Sequence, residues 1–439
     1  MNTRVLTGIT TTGTPHLGNY VGAIRPAIAA SREPGVDAFF FMADYHALIK
    51  SGDAARIERS RLEIAATWLA AGLDPEKATF YRQSDIPEIP ELTWFLTCIT
   101  SKGMLNRAHA YKAAVDRNAE TGEDADAGIT AGLYMYPVLM AADILAFDAE
   151  RVPVGRDQIQ HIEMARDIAQ RFNHLHGGEF FVLPQVQIDE QVATLPGLDG
   201  RKMSKSYDNT IPLFEGGPKA LKSAVARIVT DSRLPGEPKD AEGSHLYTLY
   251  QAFATPEQSA GFRAALEGGL GWGEAKQALC ERIEAQIGPM RERYADLVAH
   301  PERIEDILQA GAAKARRIAT PMMARLREAV GLRMASGTGA ARAAGASGAA
   351  RRARIVSFRD EDGRFRQRLF GADGAELLLS EPFGDPKVLN SLGRSFAGRD
   401  LSGLAPGADG HVDLQADGLR WARVPADRLE AVREALAQL

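Results

Sequence analysis

The sequence predicts an α/β fold. A doubly wound, Rossmann-like parallel sheet forms the first domain, followed by a helical domain and a small β-rich C-terminal domain. Three observations lead there. Short apolar runs of strand length at residues 4–9, 38–43 and 79–83 alternate with amphipathic helical stretches, one of them across 54–71, which is the pattern of a parallel sheet covered on both faces. From about residue 213 to 331 the periodicity is helical throughout. Beyond that, an Ala/Gly/Ser/Arg-rich stretch to about residue 352 precedes strand-like alternation broken by turn signals. The 439 residues exceed one ordinary core. The expected divisions are 1–212, 213–333, a linker 334–353 and an accessory α+β domain 354–439.

Each element has a local reason. Residues 4–9 feed a loop, Thr10-Thr11-Thr12-Gly13-Thr14-Pro15-His16-Leu17-Gly18-Asn19-Tyr20, that opens a helix reaching about Ser31. In a doubly wound sheet ligands bind outside the carboxyl ends of the strands, so this loop belongs to a site. Residues 132–145 contain a helix expected to start near Pro137, with Tyr136, Met140 and Asp143 on one stripe. Residues 152–161 read as strand, Gly turn and helix. In the tail, residues 354–358, 364–369 and 376–380 read as a three-stranded meander, and 429–439 as a closing helix. Residues 113–128 read as either an excursion or part of an interface.

Composition narrows the function. The 45% hydrophobic and 25% charged fractions are those of a globular protein. A net charge of −5 argues against a DNA-coating protein while leaving room for a local RNA patch. The two cysteines, Cys98 and Cys280, have no Cys-x-x-Cys partner, so no disulfide framework, zinc site or iron–sulfur cluster is expected, and no metal-ligating residue is assigned. The N-terminus lacks a signal-peptide plan and no apolar run approaches a membrane span, so a cytoplasmic protein is expected.

Two motifs carry the chemistry. In His16-Leu17-Gly18-Asn19, Gly18 lets a flat base approach the backbone, and His16 and Asn19 offer polar groups near a helix N-terminus, where phosphate is favoured. About 185 residues later comes Lys202-Met203-Ser204-Lys205-Ser206, whose lysines can reach two phosphates at once. No Gly-x-x-x-x-Gly-Lys-Ser/Thr loop offers a competing nucleotide site. Asp143 ends an apolar helical face. Read from the residues alone, it caps the next element, pairs with an arginine, or receives a donor from a ligand. Asp157, after Gly155, either caps a helix or accepts from ribose hydroxyls.

Together the two motifs resemble the signatures of class I aminoacyl-tRNA synthetases, and residues 132–145 and 152–161 resemble the tryptophanyl branch of that family. The resemblance runs over residues 1 to about 333. It implies ATP bound along Thr10, Thr11, Thr12, Gly18, Asn19, Gly155, Arg156, Asp157, Val192, Lys202, Met203, Ser204, Lys205 and Ser206. Lys202, Lys205, His16 and Asn19 would stabilise charge on the phosphates, with Mg²⁺ bridging phosphate oxygens. It also implies L-tryptophan held by Asp143, Tyr136, Met140, Gln158 and His46, tRNA(Trp) as acceptor, and a homodimer. Indole has one donor and no acceptor, so a flat slot ending in a carboxylate suits it. Rival readings are a tyrosyl relative, a non-catalytic tryptophan or RNA sensor, and a nucleotidyltransferase acting on another acid. The arginines at 342, 351, 352 and 354 suggest that the tail adds non-specific RNA affinity.

Overall fold

The computed structural model describes residues 2–11, 13–49, 52–187, 194–332, 353–360, 362–399, 401, 404, 406–407 and 409–439. It falls into two compact units, 1–334 and 335–439. The first is built on a five-stranded sheet: β1 (Thr3–Thr10), β2 (Val36–Ala43), β3 (Thr79–Arg82), β4 (Arg151–Pro153) and β5 (Gln185–Gln187). The strand order is β3-β2-β1-β4-β5 and every pairing is parallel. The chain winds outward one way from β1 through β2 to β3 and the other way through β4 to β5. The reversal leaves a crevice at the carboxyl ends of β1 and β4.

β2 shows why the run 38–43 had to be a doubly covered strand. Alternate side chains leave opposite faces of the sheet: Ala38, Phe40 and Met42 enter one core with Ile9 and Trp68, while Phe39 and Phe41 enter the other with Leu6 and Phe147. Helices Ala54–Ala70 and Trp272–Ala299 cover the first face, and helices Glu88–Ile99, Ala131–Leu145 and Ile159–His176 the second. Helix Pro301–Ala329 serves both cores, passing the edge of the sheet at β3. Gly311 makes that passage possible, because a Cβ there would lie 1.7 Å from the Phe80 carbonyl oxygen. The helical stretch thus continues the same two cores within one unit.

One local expectation needs correction, and a second stretch gains its structure. The helix around Pro137 begins at Ala131, capped by the Thr130 hydroxyl, which accepts from Leu133 N at 3.2 Å. Pro137 sits inside it, removing one backbone donor without ending the helix. The stretch 113–128 is mostly helix: His109–Thr121 is closed by Gly122 at φ +75, and the Asn118 amide donates to the Ala125 and Ala127 carbonyls. That turn is held by its own hydrogen bonds.

In the second unit β6 (Arg354–Arg359), β7 (Phe365–Phe370) and β8 (Glu376–Leu379) form an antiparallel meander in that order. Helix Pro386–Phe396, a hairpin of β9 (His411–Ala416) and β10 (Leu419–Pro425), and helix Leu429–Ala437 complete it. The hairpin was absent from the sequence reading. It turns on Asp417-Gly418, both at positive φ, the geometry for which Asp-Gly is suited. Buried Trp421 stacks on Phe396 at 5.2 Å and donates from Nε1 to Gln367 Oε1.

Candidate active site

β1 delivers the first loop to the crevice. Thr10 ends the strand exposed, and Thr11 is buried with its hydroxyl donating to the Ala43 carbonyl, which ties the ends of β1 and β2 together. His16 and Asn19 cap the short helix Leu17–Asn19 reciprocally: His16 Nδ1 accepts from Asn19 N and Asn19 Oδ1 accepts from His16 N. Burial first, and the Lys205 ammonium second, push the His16 imidazole down to about 4. Near neutral pH the ring is therefore uncharged. With Nδ1 accepting, its proton resides on Nε2 as a donor.

The lysine loop is fastened to this one. Buried Met203 places its sulfur 3.3 Å from Gly18 N, and a Cβ on Gly18 would lie 3.0 Å from the His16 ring and 3.3 Å from Met203 Cβ. The Lys205 ammonium lies over Gly13, where a Cβ would stand 2.4 Å from Nζ. Gly13 is at φ +74, so glycine meets a backbone and a steric demand at once. Burial lowers the Lys205 pKa, Glu215 opposes the shift and Arg56 reinforces it. Asn209, buried, holds the loop from beneath: Oδ1 accepts from Ser204 N at 2.8 Å, and Nδ2 donates to Asp199 Oδ1 and the Lys202 carbonyl. The Ser204 and Ser206 hydroxyls are 2.8 Å apart. Lys202 is exposed, and its amine makes no hydrogen bond or ion pair among the described residues.

Across the switch point Gly155 and Arg156 follow β4, both exposed, and Arg156–Gln158 forms a 3₁₀ turn. The side chain of Asp157, together with Thr12 and Val192, lies outside the described residues.

The third cluster gathers around Asp143, whose carboxylate is 0% exposed. It neither pairs with an arginine nor caps the next element. His46 Nε2 lies 2.9 Å from Oδ2, and Gln83 Nε2 donates to Oδ1 at 2.7 Å. Burial raises the Asp143 pKa, and the His46 and Gln83 contacts oppose that rise. Tyr136 packs edge-on against His46 and its hydroxyl lies 2.7 Å from His161 Nε2, while His161 Nδ1 lies 2.9 Å from Gln158 Oε1. Met140 is partly buried on the same helix. The structure thus joins Asp143 to His46, and Tyr136 through His161 to Gln158. Sequence reasoning missed Gln83 and His161. Gln83 carried a usable signal, being the first polar residue beyond β3 at the carboxyl edge of the sheet.

A doubly wound sheet whose first loop and lysine loop interlock at the switch point defines the architecture of a class I synthetase. Comparison with known proteins agrees: residues 1–286 match the tRNA synthetases of class I (W and Y). The tryptophan--tRNA ligase of Bordetella parapertussis is 65% identical over 448 residues, covering 100% of this chain and 99% of that protein. That of Pseudomonas aeruginosa is 64% identical, covering 99% and 97%. The solved tryptophanyl-tRNA synthetase of Campylobacter jejuni, complexed with ADP and tryptophan, aligns at a TM-score of 0.69 and 43% identity over 75% of this chain and 100% of its own. The chain belongs to the tryptophan--tRNA ligase family of class I tRNA synthetases.

Proposed function

We infer that this chain activates L-tryptophan with ATP and transfers it to tRNA(Trp), releasing pyrophosphate and AMP. The observation that carries the reading is the buried Asp143 carboxylate, fixed as an acceptor on the same molecule as a cationic loop docked over the first loop of a nucleotide fold. The tryptophan carboxylate attacks the α-phosphorus of ATP, the bond to the β-phosphate oxygen breaks, and pyrophosphate leaves. The terminal adenosine hydroxyl of tRNA then takes the acyl group and AMP departs. No covalent enzyme intermediate is required. Catalysis comes from positioning and from charge stabilisation.

Within that scheme Lys205 and Lys202 neutralise the phosphates and leaving pyrophosphate. His16 donates from Nε2 without adding a charge that would repel Lys205. Gly18 admits the adenine, and Gly155 frees the backbone beside the ribose. Mg²⁺ would enter with ATP, since it commonly binds through substrate phosphates and waters rather than in an all-protein cage. Asp143 accepts the indole N–H while Met140 and Tyr136 border the ring. Burying a polar group that only the correct substrate satisfies rejects analogues by about 10⁴ or more, so phenylalanine is excluded without editing.

ATP–pyrophosphate exchange with each of the twenty amino acids supplied singly tests the reading. Exchange with tryptophan alone is expected, and exchange with tyrosine would overturn the assignment of Asp143. Homodimeric assembly is proposed alongside. The exposed Trp94 on helix Glu88–Ile99 supports burial in such an interface, and sedimentation at micromolar concentration tests it. A reaction that draws on ATP and tRNA supports a cytoplasmic location.

A further inference from the structure

The β6–β8 sheet of the second unit has one face packed on that unit's helices and one that no described element of the same unit covers. Ile355, Phe365, Leu369 and Leu378 turn inward onto Leu389, Leu392, Phe396 and Leu436. The registers Arg354↔Phe370, Val356↔Arg368 and Phe358↔Arg366 put those six side chains on the opposite face. There cations and rings alternate. The Arg354 guanidinium lies over the Phe370 ring at 5.3 Å and that of Arg368 over the Phe358 ring at 4.6 Å. Arg354 has no carboxylate partner among the described residues. Arg368 has only Glu376, at 3.6 Å with both side chains exposed, a pairing worth little in water. Val356 and Leu379 on this face are each 40% exposed.

We propose that this sheet face binds unpaired nucleotides of RNA, with bases stacking on the Phe358 and Phe370 guanidinium–ring pairs and phosphates meeting Arg354 and Arg368. Guanidinium planes laid over aromatic rings offer bases a flat stacking surface and phosphates a positive charge, which is what single-stranded RNA requires of a sheet surface. An acidic peptide would use the cations and leave the rings idle. The sign of the charge also fits a polyanion: residues 335–353, which lead into β6, hold three arginines and no acidic residue. The proposal rests on the tRNA-ligase reading only in taking the nucleic acid to be RNA.

The test uses the full chain and three probes: a short oligouridylate, a duplex RNA and anionic phosphatidylserine vesicles. Two variants are compared with wild type, Phe358→Ala/Phe370→Ala and Arg354→Ala/Arg368→Ala. Tryptophan-dependent ATP–pyrophosphate exchange is measured in each, both as evidence of folding and as an independent reading of the activity. The aromatic pair should cost the oligouridylate about tenfold or more in affinity at every salt concentration, as loss of base stacking does. The arginine pair should flatten the slope of log K against log salt by about 1.4, roughly 0.7 per phosphate of a single strand. Both variants should retain wild-type exchange. Unchanged oligouridylate binding in both variants overturns the proposal, as do equal competition by duplex RNA and arginine-dependent binding to vesicles alone. Loss of exchange in the wild-type protein would overturn the ligase reading and leave the oligonucleotide result standing.

Discussion

Gln83 is where one substitution tests the amino acid pocket most sharply. Its side chain is 0% exposed, its Oε1 accepts from Tyr45 N at 3.0 Å, and its Nε2 therefore has to face Asp143. Gln83→Leu keeps most of the volume and deletes both bonds. A hydrogen bond to a charged group contributes about 1.5–3 kcal/mol, a factor of about 10 to 150, and the expected loss appears in the tryptophan KM. The protonation of Asp143 shifts as well. Its pKa is already raised by burial, with Asp44 adding to the rise, His46 and Gln83 opposing it, and the buried Tyr81 hydroxyl close by. Removing Gln83 raises it further. Only the ionised carboxylate accepts the indole N–H without presenting a proton, so tryptophan binding weakens as pH falls through the Asp143 pKa, and in Gln83→Leu that loss begins at higher pH. The assay is tryptophan-dependent ATP–pyrophosphate exchange from pH 5.5 to 8.5, with KM for tryptophan and ATP determined separately. A merely structural role would move both KM values or neither. A folded Gln83→Leu protein with wild-type tryptophan KM and an unshifted pH profile would refute the reasoning.

Lys205→Ala should slow exchange at saturating substrates by about 100-fold or more, the cost of losing one preorganised donor to developing charge, roughly 3 kcal/mol; an undiminished rate removes Lys205 from the phosphates. Gly13→Ala strains a residue at φ +74 and pushes the Lys205 ammonium aside, so exchange should fall by more than the ~1 kcal/mol stability cost explains, as read by comparing kcat with the urea midpoint. The folded-state pKa of His16, about 4, lies below its unfolded value of 6.5. The unfolded chain therefore binds the extra proton between those limits, and stability falls as pH drops from 6.5 towards 4. Discounted for solvent screening this amounts to about 1–2 kcal/mol, and in His16→Asn that part of the pH dependence should vanish from denaturant titrations. Gly311→Ala lies away from the site and should destabilise by about 3 kcal/mol or more, because its Cβ meets the Phe80 backbone; a wild-type melting temperature would contradict the close passage at β3.

How far the sequence could be read depended on whether a feature is local. The strands were legible because each needs only its own run: five apolar residues in β2 serve two cores by alternation. The first loop and the lysine loop were legible as motifs for the same reason, since each is contiguous. Their interlocking was not, because Met203 under Gly18 and Lys205 over Gly13 join positions far apart in the chain. Gln83 was hidden likewise, meeting Asp143 across sixty positions. The start of the Ala131–Leu145 helix was obscured by Pro137, whose helix-breaking signal is overridden by Thr130 capping upstream and core packing on both sides.

The interlocking bears on how the site works. His16 stays neutral partly because Lys205 is near, and Lys205 can be near because positions 13 and 18 lack side chains. A protonated His16 would set two cations against each other across the docked loops before ATP arrives. Neutrality removes that repulsion and leaves an Nε2–H donor, which on the proposed reading would serve phosphate. On the proposed reading, a cation then stands on one side of the crevice and a neutral donor on the other, and the triphosphate would meet both without like charges first having to separate. His16→Lys, with a second permanent cation in place of the imidazole, should therefore loosen the docked loop in the free protein. Limited proteolysis between residues 200 and 208 should be faster in that variant and slowed by ATP. Equal cleavage rates for variant and wild type without ATP would show that charge at position 16 has no hold on the lysine loop.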